Sequence, residues 1–171
     1  MFDKGKAFLL GVSSGGRCNS GCYNCGEIMY KLGRKTTQYL ESILISGKEE
    51  SAILVKAVRE FIRYTPIDFC IIESGGYRTK EMQFQLFRDE RSKCDGYNKL
   101  SEHQKGLAVD LVPWVNNAPT WDLKSTYYLS GAFMLYCREN GLHITSGADW
   151  NGDGNLSQSF NDPCHMQIKE F

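Results

Sequence analysis

Beyond residue 45 the apolar residues change their spacing several times, and that alternation limits the chain to a fold mixing helices with strands. Between Ser46 and Tyr64, residues Ile53, Leu54, Ala57, Val58, Phe61 and Ile62 recur at helical spacing. Ser46 is placed as an N-cap with Glu49 three residues on, and Pro66 closes the segment. DFCIIES (68–74) is a β-branched and aromatic run of strand length. TKEMQFQLFRDERSK (79–93) returns to helical spacing, with Met82, Leu86 and Phe87 on its inward face. GLAVDLVP (106–113) reads as another strand, stopped by Pro113. A third helix spans Lys124 to Asn140, with Gly141 at the C′ position. HIT (143–145) and HMQIK (165–169) are short strands flanking a long polar loop. The expectation is α+β: about three helices packed on a small antiparallel sheet.

A chain of 171 residues can bury about 70% of its unfolded surface, so its core needs neither disulfides nor a second copy, and a monomer is expected. The hydrophobic fraction of 42% excludes a disordered chain. Twenty basic and twenty acidic residues cancel, which removes the field that marks nucleic-acid binders. No apolar run approaches the roughly 18 residues of a membrane span, so no membrane partner is expected. Near the start, the apolar stretch Ala7 to Val12 is too short for a signal peptide, and synthesis in the cytoplasm without an export signal of its own is expected.

Residues 11–26 (GVSSGGRCNSGCYNCG) are dense in glycine and poor in apolar side chains. They set off a Gly/Cys-rich N-terminal arm, 1–45, from a main domain, 46–171. Seven cysteines is an odd number, and Cys70, Cys94, Cys137 and Cys164 are scattered singly, as in a reducing compartment. Cys18, Cys22 and Cys25 form C-x3-C-x2-C, which suits either a structural zinc with a fourth ligand such as Cys94 or ordinary loop thiols.

Three histidines concentrate the remaining chemistry. His103 lies in SEHQKGLAVD with Asp110 seven residues on, His165 lies in DPCHMQI after Asp162, and His143 has no acidic neighbour. Two imidazoles and a carboxylate, here His103, Asp110 and His165, are a ligand set suited to catalytic zinc, which leaves its fourth position open. On pattern alone the same residues also suit a loop histidine bonded to backbone and an aspartate closing a strand.

The surrounding motifs add a resemblance. S-x-H-x-x-G-x-A-x-D is matched at Ser101, His103, Gly106, Ala108 and Asp110. An upstream G-x-R-T…Q element is matched at Gly76, Arg78, Thr79 and Gln83, followed later by Asp149-Trp150 and by Asp162-x-x-His165. Over roughly residues 60–170 this succession resembles the M15 zinc peptidases, the group of VanY-type D-Ala-D-Ala carboxypeptidases and phage L-alanyl-D-glutamate endolysins. The chain departs from that pattern at Ser146-Gly147-Ala148, where paired glycines are usual, and at Cys164, where proline usually precedes the last histidine.

The resemblance implies a hedgehog/DD-peptidase-like fold over residues 46–171, with one catalytic zinc on His103, Asp110 and His165. It implies Asp162 as general base and acid, and Arg78 as a catalytic and substrate-binding residue gripping a carbonyl or carboxylate; an ion pair to Glu81 or Glu102 is the plainer role for Arg78. Ser101, Gln83 and Trp150 complete the implied substrate site, with a simple turn role open for Ser101. The implied activity is cleavage of the peptidoglycan stem peptide, by an L-Ala–D-Glu endopeptidase that reaches the wall after release from the cell. A D-Ala-D-Ala carboxypeptidase and a non-catalytic, zinc-stabilised binding module are the competing readings.

Finally, DWNGDGNLSQSF (149–160) opens like a calcium-binding EF-hand loop, with Asp149, Asn151 and Asp153 at ligand positions and the Asn155 carbonyl at the next. Phe160 stands where a bidentate glutamate belongs. A weak calcium site and an Asx-type turn are both open.

Overall fold

In the computed structural model, which describes residues 34–168, the alternating spacing becomes alternating elements. Helix α1 (Arg34–Ser42) runs into a 3-10 turn (Ile43–Ser46) and is followed by α2 (Glu49–Phe61) and β1 (Phe69–Cys70). A second 3-10 turn (Glu73–Gly75) precedes α3 (Lys80–Arg88). Then come β2 (Ala108–Asp110), β3 (Val112–Val115), β4 (Ala118–Pro119), α4 (Leu123–Glu139), β5 (Ile144–Gly147) and β6 (Asp162–Ile168). Two antiparallel three-stranded sheets result, ordered β1-β3-β4 and β2-β6-β5. The α+β expectation holds.

The core lies between α2, α4 and the sheets. Phe61 packs edge-on against Phe133 at 5.1 Å between ring centres and lies 5.6 Å from Tyr136; such pairs add about 0.5–1.5 kcal/mol beyond area burial. Leu40 and Ile43 are fully buried in the same core, so packing begins ahead of residue 46. The first helix, RKTTQYLES, carries only Tyr39 and Leu40 as apolar residues, too few for the spacing argument to register it. Cys18, Cys22 and Cys25 lie outside the described residues.

Several boundaries differ from expectation for identifiable reasons. Ser46 does not cap α2, where Lys48 holds that position without a side-chain bond. Its hydroxyl instead accepts the Lys48 N–H at 3.2 Å and meets Ser51 Oγ at 2.6 Å, while Ser51 donates to the Gly106 carbonyl at 2.7 Å. Helix α3 is capped by Thr79, which accepts the Met82 N–H, and it ends at Arg88 because Glu90 takes a left-handed φ of 58°. Its buried face is Gln83 and Leu86; Phe87 is exposed. Pro113 does not stop its strand. The run kinks at Leu111, whose N–H reaches the Cys164 carbonyl, so that β2 pairs with β6 and β3 pairs with β1. DFCIIES yields only a two-residue strand before turning at Glu73.

The register of β2 on β6 positions the site. Asp110 stands directly opposite His165, and side chains paired across antiparallel strands share a face.

Candidate metal centre

His103 sits one turn before β2 and is almost wholly buried. Two glycines let it lie there. Gly106 takes a φ of +71°, and a Cβ on it would stand 2.6 Å from Ser46 Cβ. A Cβ on Gly76 would fall 2.1 Å from the Tyr39 carbonyl oxygen, so this backbone can touch α1 only as glycine. The Gly76 carbonyl then accepts the His103 Nδ1–H at 2.8 Å.

That bond fixes the imidazole with Nε2 turned toward Asp110 and His165. His103 Nε2 lies 3.1 Å from Asp110 Oδ1 and 3.1 Å from His165 Nδ1, and His165 Nδ1 lies 3.2 Å from Asp110 Oδ1. His165 Nε2–H donates to Gln167 Oε1 at 3.0 Å. With both outer N–H groups engaged, neutral rings present three lone pairs to one point, and something positive has to sit among them. Ligands on a tetrahedral ion at 2.0–2.1 Å stand about 3.3 Å apart, which matches this triangle. Outer bonds from ligand histidines to a carbonyl or amide oxygen are the usual support for such a site. Among the described residues this is the one group of three or more His, Cys, Asp or Glu side chains able to hold a metal ion.

The electrostatics agree. Burial pulls the His103 imidazole below its ordinary value. Burial acts the same way on His165, but the hydrogen bond and charge of Asp110 outweigh it and hold that ring above its ordinary value. Asp110 is buried too, yet His103, His165 and Arg78 keep its carboxyl well below the usual range. Asp162, at the start of β6, is pushed up by burial and by the negative charge of Asp110, with His165 and Arg78 opposing. Its carboxyl is therefore close enough to the cluster to feel the charges of Asp110, His165 and Arg78.

Arg78 pairs with neither Glu81 nor Glu102. Its Nη2 donates to Asp110 Oδ2 at 2.8 Å, its Nε to the Ser74 carbonyl at 2.5 Å, and its Nη1 to Gln83 Oε1 at 3.4 Å. Gln83 is fully buried; it accepts the Ser101 hydroxyl at 2.8 Å and donates to Ser92 Oγ and the Cys94 carbonyl. Gln83 and Ser101 thus lie beneath the site. Trp150 lies beside it, its ring 5.4 Å from that of His165 and stacked on Phe160, whose carbonyl accepts the indole N–H. Cys164 points away, its thiol pushed up to about 12, chiefly by burial. His143 lies outside the cluster, just before β5.

In the 149–160 loop, Asp149 Oδ1 accepts the N–H groups of Gly152 and Asp153, and its Oδ2 accepts that of Gly154. Asp153 accepts from Asn155 N–H and from the Asn151 amide. Sequence reasoning missed Gln167 as the partner of His165. Strand alternation was the available signal, because residues two apart on β6 share a face.

Residues 28–168 match the family model of the phage L-alanyl-D-glutamate peptidase. The chain is 30% identical over 144 residues to the L-alanyl-D-glutamate peptidase of Escherichia phage T5, covering 81% of this chain and 98% of that protein. Its fold is similar to the crystal structure of the Serratia marcescens L-Ala D-Glu endopeptidase ChiX, with a TM-score of 0.60 and 23% identity over 80% of this chain and 87% of the other.

Proposed function

The chain belongs to the phage L-alanyl-D-glutamate peptidase family, and from that premise we propose that it is a zinc endopeptidase hydrolysing the L-Ala–D-Glu bond of peptidoglycan stem peptides. The observation that carries this reading is the triangle of bare donor atoms on His103, Asp110 and His165, with the Asp162 carboxyl near enough to feel its charges. When bound, zinc supplies Lewis-acid polarisation of the scissile carbonyl and makes water at its open position more acidic.

The remaining work falls to side chains. Asp162 takes the proton of the attacking water and returns it to the leaving amine; a carboxyl raised above its ordinary value is better matched to both transfers near neutral pH. Arg78 uses three of its five N–H bonds within the protein, which leaves two for a substrate carbonyl or carboxylate. Trp150 stands beside His165, and Gln83 with Ser101 supports Arg78 from below. All these groups come from one chain, so the site needs no second copy, which supports a monomeric enzyme.

No helix among the described residues is long and apolar enough to cross a membrane, and the wall is the site of action in this reading. The hydrogen bonds made by Asp149 and Asp153 in loop 149–160 are those of an Asx-type turn; a calcium site on it, with Phe160 in place of the bidentate glutamate, would bind only at about 10⁻⁴–10⁻³ M.

The test is clearing of purified peptidoglycan. Activity should disappear with chelator and return with zinc. Undiminished clearing by chelated protein would refute the zinc mechanism.

A further inference from the structure

We propose that Arg78 is a positioning residue for the metal centre: by holding Asp110 Oδ2 it leaves only Oδ1 facing the cation, and so it sets zinc affinity. This rests on the zinc reading above and goes beyond it, because it gives the arginine a task in the enzyme before any substrate arrives.

The geometry is specific. The Arg78–Asp110 contact is 2.8 Å, and each side chain is only 13% exposed. A carboxylate with one oxygen released could rotate its second oxygen toward the cation or swing out of the triangle. The guanidinium prevents both, since its planar fork directs the Nη2–H along one line. Arg78 is itself fixed, by the Ser74 carbonyl through Nε and by Gln83 through Nη1.

Gln83 cannot shift either. Its amide nitrogen donates both hydrogens, to Ser92 Oγ at 2.7 Å and the Cys94 carbonyl at 2.9 Å, while its oxygen accepts from Ser101 and Arg78. The segment ahead of Arg78 lies against the same aspartate: a Cβ on Gly75 would stand 3.2 Å from the Asp110 carbonyl and 3.3 Å from its Cβ. The chain therefore builds a rigid buried bracket, from Gln83 through Arg78 to one carboxylate oxygen. Partners of this kind, one bond removed from the metal, typically change metal affinity by about 10–100-fold when removed.

The experiment is zinc competition against a chromophoric chelator at pH 7, on the full chain and on Arg78→Met, Arg78→Lys and Gln83→Met. Arg78→Met should bind zinc about 10–100-fold more weakly. Arg78→Lys keeps the charge without the fork and should fall between, and Gln83→Met should shift in the same direction by less. Should Arg78→Met fail to fold, as judged by circular dichroism, the other two variants decide. Variants that match the unsubstituted protein in zinc affinity overturn the proposal and leave Arg78 to the substrate. If the unsubstituted protein itself takes up no zinc, the reading beneath fails as well.

Discussion

Replacing Asp162 by asparagine should separate catalysis from stability, with opposite signs. The side chain keeps its size, and none of the three converging donors bonds to it, so zinc affinity should stay close to that of the unsubstituted protein. Loss of the proton-transfer group should lower turnover by about 10²-fold or more, equivalent to about 2.7 kcal/mol of barrier. In the metal-free protein, however, the carboxylate is unfavourable where it stands, because burial and the charge of Asp110 raise its pKa above the ordinary 3.8. Below the unfolded pKa the group is protonated in both states and contributes no difference. As pH rises through the window above 3.8, the unfolded chain releases the proton first, and the folded protein loses about 1.4 kcal/mol for each unit of elevation. Asp162→Asn should therefore raise the melting temperature of the metal-free protein at pH 7, with the gain vanishing near pH 3. Calorimetric melts at both pH values, beside turnover on soluble wall fragments, measure the two effects. Near-full turnover would refute the assignment of the base; a destabilised variant at pH 7 would refute the electrostatic argument.

Zinc at about a hundred times its dissociation constant should stabilise the fold by about 2.7 kcal/mol, a melting shift of roughly 5–10 °C for a chain of this size; His103→Ala should abolish both shift and activity. That stabilisation should fade on acidification from a higher pH than an ordinary histidine would give, because the proton held on His165 competes with the metal. Calorimetry on zinc-loaded protein should give calcium-binding heat only at about 10⁻⁴–10⁻³ M; silence at millimolar calcium would leave loop 149–160 a hydrogen-bonded turn.

The three side chains that converge were picked out in the sequence by the family-like motifs around them, since residue types and spacing alone left a plainer reading open, and a register of two short strands is enough to bring Asp110 and His165 together. Helix α2 was legible from its apolar period and the end of α4 from Gly141. What escaped was set by contacts far apart in the chain. Helix α1 offers little apolar period of its own and is held by the Tyr39–Gly76 approach, which no local pattern encodes. Gln83 and Ser101 entered as substrate contacts only through the family resemblance, with a turn role open for Ser101. Burial instead places them in the bracket behind Arg78. Pro113 looked like a stop because its missing N–H is costly in a ladder, yet the strand continues through it, with the Trp114 N–H reaching the Asp68 carbonyl and the Pro113 carbonyl accepting from Thr120.

The measurement that bears most directly on the whole account is mass spectrometry of fragments released from purified peptidoglycan by the zinc-loaded protein. Cleavage between L-Ala and D-Glu predicts stem peptides with a new amino terminus on D-Glu, glycan strands that retain L-Ala, and neither product in the presence of chelator. Release of free D-alanine with the L-Ala–D-Glu bond intact would contradict it.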